Sequence, residues 1–571
     1  MNKPSALRSC VRLRAAITGN LWSMPMYSRI LCAALLAGVV ANPAWPQTSE
    51  SYHALLSQRV ATPSLAAPAS LADFVNNGKI RLGLRDAILL ALLHNSGIQI
   101  EEAQVETQKF GVLSAHSPFD PLIQSTLNIN RYSSPTYSQL QGAGTSGTVA
   151  LNTLTQSGLL SYTQTFHTGT TFETSLSASK SSTNSSYNFF NPVYSSTLNF
   201  QFTQPLLKGA GRFANMAPLL IARRALDQSR ASFEAQVNDA VLQTIDAYWN
   251  VVQAQGSLDV QLRSLQLAEA SYKHDKRALD LGALSPLDIN RSESEMAARK
   301  VQRLQAESAL IQTEEALRIL LGADLDPQTR NLHFELTESP EADSAAEPAD
   351  LDAALKDALN QRPETRAAAD ALANDRANVR LARNQALPNL SFTGFYQSSG
   401  IGGPQYNLST GQQTSSGGFG SSFSQLGDFG YPAYGGQLTL SLPVRNSAAK
   451  ASLGNALVSQ HRDLLSQRQT QEFIVRDVRN ALLQLGEARE ALTAAKDSLE
   501  LSRKSLAADE RKYELGAETN FFVLDSQSRL AQAELALLQA QVTYRVALAT
   551  AEHATGKLLD PYKMKLDEAS R

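Results

Sequence analysis

Apolar positions change their period several times along this chain, and the changes outline its elements. From Asp86 the run DAILLALLHNSG sets leucine, isoleucine and alanine at helical spacing and meets a breaker at Gly97. From Asp352 the run DAALKDALNQRP does the same and meets Pro363. A second helical stretch follows each, over about 98–117 and 364–386, and beyond Pro121 and Pro388 the period falls from 3.6 to 2. There Ile123, Leu127 and Ile129 alternate with Gln124, Thr126 and Asn128, and residues 160–166, 172–178, 198–202, 390–395 and 438–442 alternate in the same way. Pro205 and Pro443 close these sections, and a very long helix is predicted after each, over about 219–281 and 447–513. At the rise of an α-helix these would run about 95 and 100 Å. Each ends at a glycine, Gly282 or Gly516, after which another helix runs to Gly322 or Gly556.

The order helix, helix, strands, long helix, turn, helix thus occurs twice, which describes an internal duplication. Repeat 1 covers 81–334, with strands within 121–205 and a helical hairpin over 213–322. Repeat 2 covers 351–560, with strands within 388–443 and a hairpin over 446–556. The stretch 335–350 between them is rich in Pro, Ala and acids, the composition of a linker. An N-terminal extension (47–80) and a C-terminal tail (561–571) flank the repeats.

Helices of this length need neighbours to hold them. In the last one, Leu524, Ser528, Ala531, Leu535, Leu538, Val542, Arg545 and Ala549 form a heptad seam interrupted at Ser528 and Arg545. Ala533, Ala536, Ala540 and Ala547 beside it permit close approach on a further side, as in a cylinder wall. Periodicity alone favours an ordinary antiparallel coiled coil; the strands between the helices add the distinguishing pattern. Each presents one apolar face and one hydroxyl or amide face, as a barrel with lipid outside and water inside requires. Aromatic residues gather in the same sections (Tyr132, Tyr137, Phe189, Phe190, Tyr194, Phe395, Tyr396, Tyr431, Tyr434). One strand pair per repeat gives about four strands per chain, with an extra hairpin over 160–178 in question, too few to enclose a lumen. Several chains would share one barrel. The Gly, Ser and Thr-rich stretches 133–147 and 398–436 read as mobile, solvated loops.

The chain has 571 residues, with 51 Lys plus Arg against 53 Asp plus Glu, so no global charge points to nucleic acid. Residues 1–46 read as a signal peptide: Lys3, Arg8, Arg12, Arg14 and Arg29 precede the apolar run ILCAALLAGVVA. Both cysteines, Cys10 and Cys32, fall in that segment, so the remainder offers no thiol chemistry. Past the signal no apolar run is long enough for a spanning helix, which leaves strands as the way into a membrane. GAGTSG at 142–147 satisfies the dinucleotide spacing but is followed by VALNTL rather than a helix. The histidines are scattered, so no metal, no cofactor and no enzymatic activity are expected.

The segments KYELGAETNFFVLDSQSRLAQAE, LGALSPLDINRSESEMAARKVQRLQAE and QPLLKGAGRFANMAPLLIAR resemble the TolC-like outer membrane efflux proteins. That resemblance implies a homotrimer, mainly α, whose twelve-stranded β-barrel in outer-membrane lipid continues into a long α-helical coiled-coil tunnel in the periplasm. It implies a periplasmic adaptor and an inner-membrane pump as partners. The adaptor-contacting tips would be Gly282, Ala283, Leu284 and Ser285, and Gly516, Ala517, Glu518 and Thr519. Some members narrow the periplasmic mouth with two acidic residues after the second tip; here those positions hold Phe522 and Asp525, and the first repeat holds Asp288 and Arg291. The expected function is the outer-membrane duct of a tripartite efflux system. A type I protein secretion duct would share the architecture, and a periplasmic structural coiled coil is the reading from another class.

Overall fold

The computed structural model describes residues 71–76, 78–136, 150–281, 286–323, 329–341, 350–515 and 517–562. The signal segment, most of the N-terminal extension, Tyr137 and Gly282 to Ser285 lie outside the described residues. Two short strands open the described chain, β1 (Val75–Asn76) and β2 (Lys79–Leu82), followed by α1 (Leu84–His94) and α2 (Ser96–His116). Four long strands come next: β3 (Leu122–Pro135), β4 (Ala150–Thr165), β5 (Thr171–Thr183) and β6 (Val193–Pro205). The first helical hairpin is α3 (Gly211–Asp280) and α4 (Pro286–Leu320), and β7 (His333–Leu336) ends the first half. The second half holds α5 (Leu351–Gln361), α6 (Pro363–Gln385), β8 (Asn389–Gly402), β9 (Gln405–Tyr406), β10 (Gln413–Ser415), α7 (Phe419–Gly427), β11 (Pro432–Ser441), α8 (Ser447–Glu514) and α9 (Asn520–Thr555).

The chain divides into two units. The described residues of the first lie within 111–222 and 376–458. Its centre is one six-stranded antiparallel sheet in the order β11-β8-β6-β5-β4-β3. The hairpin in question over 160–178 is part of it, as β4 and β5, so the sheet has six strands where one pair per repeat would give four. β3 and β11 are its edges, and the sheet of one chain is open. The stretch 398–436 is more structured than a solvated loop. Its first residues extend β8, β9 and β10 pair, and α7 lies on the sheet with Ser422 and Leu426 buried. Ser398 Oγ donates to the Leu426 carbonyl at 3.2 Å. Gly400 makes this approach possible, because a Cβ there would stand 1.9 Å from the Ser422 carbonyl oxygen. In the other loop, Ser133 to Pro135 belong to β3.

The described residues of the second unit lie within 58–110, 223–375 and 459–571. β2 pairs antiparallel with β1 and parallel with β7, and this small sheet contributes Ile80, Leu82 and Phe334 to a core shared with α1. Glu335 and Leu336 of the expected linker are therefore strand; 342–349 lie outside the described residues. Tyr248 Oη donates to the Leu82 carbonyl at 3.3 Å, and Gln255 Nε2 donates to the Phe334 carbonyl at 2.7 Å, fastening α3 to the sheet. On α9 Ala531, Val542 and Ala549 of the seam are buried, and so are Ala533, Ala547 and Ala554 on another side. Ala488 and Leu492 of α8 pack with Tyr544 and Ala547, while Ile474, Val478 and Ala481 pack with α5 and the end of α9. The interruption at Arg545 has a reason: its guanidinium donates to the Glu341 carbonyl at 2.7 Å and stands over the Trp249 ring at 5.6 Å.

Two boundaries differ from the sequence reading. The break between α1 and α2 falls at Asn95 rather than Gly97, because the Asn95 side chain accepts from the backbone N–H of Gly97 at 2.8 Å and of Ile98 at 3.3 Å and so caps α2. The first long helix starts at Gly211 and runs through Pro218, about two turns in, where the missing N–H leaves the Ala214 carbonyl without its usual helical donor.

Candidate functional site

The register of the sheet assigns every strand residue to one of two faces, since directly paired residues point the same way. On one face Leu390, Phe392 and Tyr396 of β8 stand beside Leu440, Leu438 and Tyr434 of β11. The same face continues across β6 (Leu198, Phe200, Phe202), β5 (Phe172, Leu176), β4 (Leu154, Leu160, Tyr162) and β3 (Ile123, Leu127, Ile129). The opposite face carries Ser391 and Thr393, Thr197 and Asn199, Ser175 and Ser177, Ser161 and Thr163, and Gln124 and Asn128. Among the described residues of one chain the apolar face is open at its edges: Leu127 is 85 % exposed and Tyr434 79 %. Gly394 leaves room there for the Phe202 ring, which a Cβ would meet at 2.4 Å. Six strands in succession with this division have the character of a wall between hydrocarbon and water. Among the described residues no helix is long and apolar enough to cross a membrane.

At the second helical turn the structure describes Ala517, Glu518 and Thr519 of the expected tip; Gly516 lies outside the described residues. The Ala517 N–H donates to the Lys512 carbonyl at 2.9 Å, which closes α8. Lys512 Nζ reaches across the turn to Glu518 at 2.7 Å and to Asp509 at 3.5 Å. The Glu518 carboxylate holds the Lys512 ammonium above its ordinary pKa. The Ser526 hydroxyl donates to Asp509 and, with Lys512 beside it, keeps that carboxyl below the usual range. Thr519 takes the extended conformation of a cap residue, and its side chain makes no capping hydrogen bond to α9.

Of the aperture candidates, Asp525 pairs with Arg529 one turn along α9. Phe522 is 46 % exposed, and its neighbour Phe521 carries the Arg291 guanidinium over its ring at 4.6 Å. Arg291, from the first repeat, and Phe521, from the second, are therefore in contact. Asp288 lies in α4, and its side chain is outside the described residues, as are the four residues of the first tip. Arg529 and Ser526 escaped the sequence reading, although the spacing Asp525 to Arg529 is that of an i,i+4 ion pair. Among the described residues no group of acidic, histidine or cysteine side chains could hold a metal ion.

Two long helical hairpins and one two-faced antiparallel sheet are thus the main elements of the described chain. The chain belongs to the outer membrane efflux protein family, whose profile matches residues 171–323 and 354–557. It is 25 % identical over 320 residues to "Probable efflux pump outer membrane protein TtgC" of Pseudomonas putida, a match covering 55 % of this chain and 58 % of that protein. It is 22 % identical to "Outer membrane protein TolC" of Vibrio cholerae over 59 % of this chain and 72 % of that one. The chain thus spans a little over half the length of TtgC. Among solved structures, the outer-membrane channel OprN superposes with a TM-score of 0.60 at 16 % identity, covering 88 % of this chain and 95 % of that one. The CmeC channel of Campylobacter jejuni gives 0.59 at 15 % identity, covering 89 % and 92 %. At these identities the structures establish the fold.

Proposed function

We propose that this protein is the outer-membrane duct of a tripartite export system, passing small molecules handed on by an inner-membrane pump through a periplasmic adaptor. The chain is exported by its signal peptide, performs no chemistry on its cargo and works as a homotrimer. Edge strand β3 of one copy pairs with β11 of the next, and the helices of the copies lie side by side as a tunnel. The observation that carries this reading is the two-faced sheet with both edges open: backbone groups at an open edge cannot be left unpaired in lipid. The helices agree with it. On α8, Leu457, Val458, Leu464 and Leu465 are 42–69 % exposed and repeat every seven residues, a seam left largely uncovered among the described residues. Several relatives are named as efflux pump outer membrane proteins, two of them for toluene, which supports a small-molecule cargo.

In this reading the tips at 282–285 and 516–519 meet the adaptor, and Phe522, Asp525 and Asp288 surround the periplasmic mouth. The Asp525 to Arg529 pair brings a cation to each carboxylate of the ring. Removing Asp525 would uncover Arg529, so Asp525→Ala should lower cation over anion selectivity in planar bilayers, while Arg529→Ala should raise it. Unchanged selectivity in both variants would remove the pair from the mouth. The duct itself is tested by deleting the protein from its host and measuring retention of dyes and antibiotics together with the level of secreted protein. Retention should rise; unchanged retention, or loss of a secreted protein alone, counts against small-molecule export.

A further inference from the structure

Hairpin β4–β5 is the part of the sheet that one strand pair per repeat does not require. In the first repeat, β3 follows the short helices and β6 leads into the long one, as β8 and β11 do in the second. β4 and β5 stand between β3 and β6 with no counterpart in the other half. Four observations bear on what they do.

They are fully paired: β4 meets β3 from Leu122↔Thr163 to Pro135↔Ala150, and β5 meets β6 from Thr171↔Thr203 to Ser181↔Val193, without a register shift. Their middle rows also keep the division of faces, although Leu159 stands on the hydroxyl side of β4 and Lys180 on the apolar side of β5. Leu160 and Leu176 stand on the apolar side level with Leu198, while Ser161 and Ser175 stand on the hydroxyl side level with Asn199. A plug inside a lumen would have no use for an apolar face continuous with that of β6, on which Phe202 is exposed and α7 covers the far end, the Tyr194 ring meeting Phe419 at 4.6 Å. Their connecting turn is fastened at the helix end of the sheet. The Gly211 N–H donates to the Thr168 carbonyl at 3.2 Å, and the His167 ring meets Phe119 edge to face at 4.7 Å. Gly169, with φ +86°, fits where a Cβ would stand 2.7 Å from the Gly209 carbonyl. Finally, the hydroxyl side of β5 is serine and threonine but for one charged residue, Glu173.

We infer that hairpin β4–β5 is a permanent section of the barrel wall, so that each copy supplies six strands and a three-copy barrel has eighteen. This rests on the duct reading above and departs from the twelve strands that the family resemblance implies. The two edges allow closure: β3 runs away from the helix end and β11 toward it, so β11 of one copy meets β3 of the next antiparallel, with apolar faces on the same side. Barrel diameter grows roughly in proportion to strand number, and about 16–18 strands leave an open aqueous channel. The outer-membrane section is therefore wide enough for bulky hydrated cargo, and the section that selects lies elsewhere along the duct.

The test uses single-cysteine variants of the full-length protein carrying Cys10→Ser and Cys32→Ser, labelled with an environment-sensitive fluorophore and reconstituted in lipid vesicles. Nitroxide-bearing lipids should quench labels at Leu176→Cys and Ala178→Cys at least about twofold more than at Ser175→Cys and Ser177→Cys, and aqueous iodide should show the reverse order. Phe392→Cys and Thr393→Cys on β8 are the reference pair. Alternation on β8 without alternation on β5 overturns the inference and leaves the duct standing. Loss of alternation on both strands removes the duct reading with it. Native mass spectrometry of the detergent-extracted protein should give three copies; any other number overturns the count of eighteen.

Discussion

The two halves of this chain agree in their helices and differ in their strands. Each has a short helix, a second helix, a long helix of 70 or 68 residues and a returning helix of 35 or 36 residues. The first half places four strands of the large sheet between these helices and the second half two. Packing explains why one part is conserved between the halves and the other is free. The returning helices end against the short helices, at Gly322 and Gly556, and a change of length there would misplace a buried seam. A hairpin inserted in an antiparallel sheet leaves every other strand direction unchanged and brings the chain back to the end it left. Strand sections can therefore grow in pairs where helical arms cannot.

The largest effect expected from this comparison separates the two closing glycines. Both have left-handed backbones, with φ of +66° at Gly322 and +78° at Gly556, a conformation that costs an L-residue about 1–2 kcal/mol. They differ in their surroundings. A Cβ at Gly322 would stand 2.5 Å from the His94 carbonyl oxygen, part of a backbone that cannot turn aside, whereas at Gly556 the nearest atom is Gln361 Cβ at 3.2 Å. Gly322→Ala should cost about 3 kcal/mol or more and Gly556→Ala about 1–2 kcal/mol, read from denaturant unfolding followed by far-UV circular dichroism. Equal losses would mean that the two closures are equivalent and the comparison overdrawn.

A smaller effect tests where one half meets the other. Gly256 is in the middle of α3, and a Cβ there would stand 2.6 Å from the Leu538 side chain of α9. The obstructing atom is the flexible end of a leucine, so Gly256→Ala should cost about 1–3 kcal/mol. Adding Leu538→Ala should cost less than it does alone, with a coupling on the order of 0.5 kcal/mol or more. Strict additivity would place the two side chains apart.

The helices were legible in the sequence because long amphipathic runs with glycine ends carry their signal over many residues; α8 starts at the expected Ser447 and ends one residue past the expected Tyr513. β4 and β5 were visible as alternation, but alternation cannot say whether a hairpin is in a wall or beside it. That needs the pairing of Leu160 with Leu176 and Leu198, residues far apart in the chain. β1, β2 and β7 were missed because strands of two to four residues have no period to read. At the second tip Phe522 and Asp525 could be aligned on the family pattern, while the pairing of Asp525 with Arg529 and the stacking of Arg291 on Phe521 depend on rotamers and on a contact between repeats.

The smallest effect returns to the helix ends and concerns pH. Four residues before the closing glycine, the first half has Arg318 and the second Glu552. Arg318 is buried and paired through its terminal nitrogens: it donates to the Leu332 carbonyl at 2.7 Å, pairs with Glu315 at 2.6 Å and lies over the Phe334 ring at 5.2 Å, while its Nε has no hydrogen-bond partner among the described residues. Burial pushes the Glu552 carboxyl up to about 7, with the Asp560 carboxylate adding to the shift. Burial likewise brings Asp246 up to about 6, partly offset by His553, and its Oδ1 has no hydrogen-bond partner. For each group the unfolded chain loses its proton at a lower pH than the folded one, so in between the folded state holds the extra proton. Their stabilising contribution is complete below the ordinary carboxylate pKa and is lost as pH rises through about 6 for Asp246 and about 7 for Glu552. The assembled protein should accordingly melt on the order of 2 °C higher at about pH 5 than at about pH 8, with Glu552→Gln removing the larger part of the difference and Asp246→Asn the rest. Arg318→Gln should lower the melting temperature equally at both pH values, because an arginine keeps its charge throughout that range. A pH dependence that survives in the Glu552→Gln, Asp246→Asn double variant would place the titrating group elsewhere and dissolve the contrast between the two helix ends.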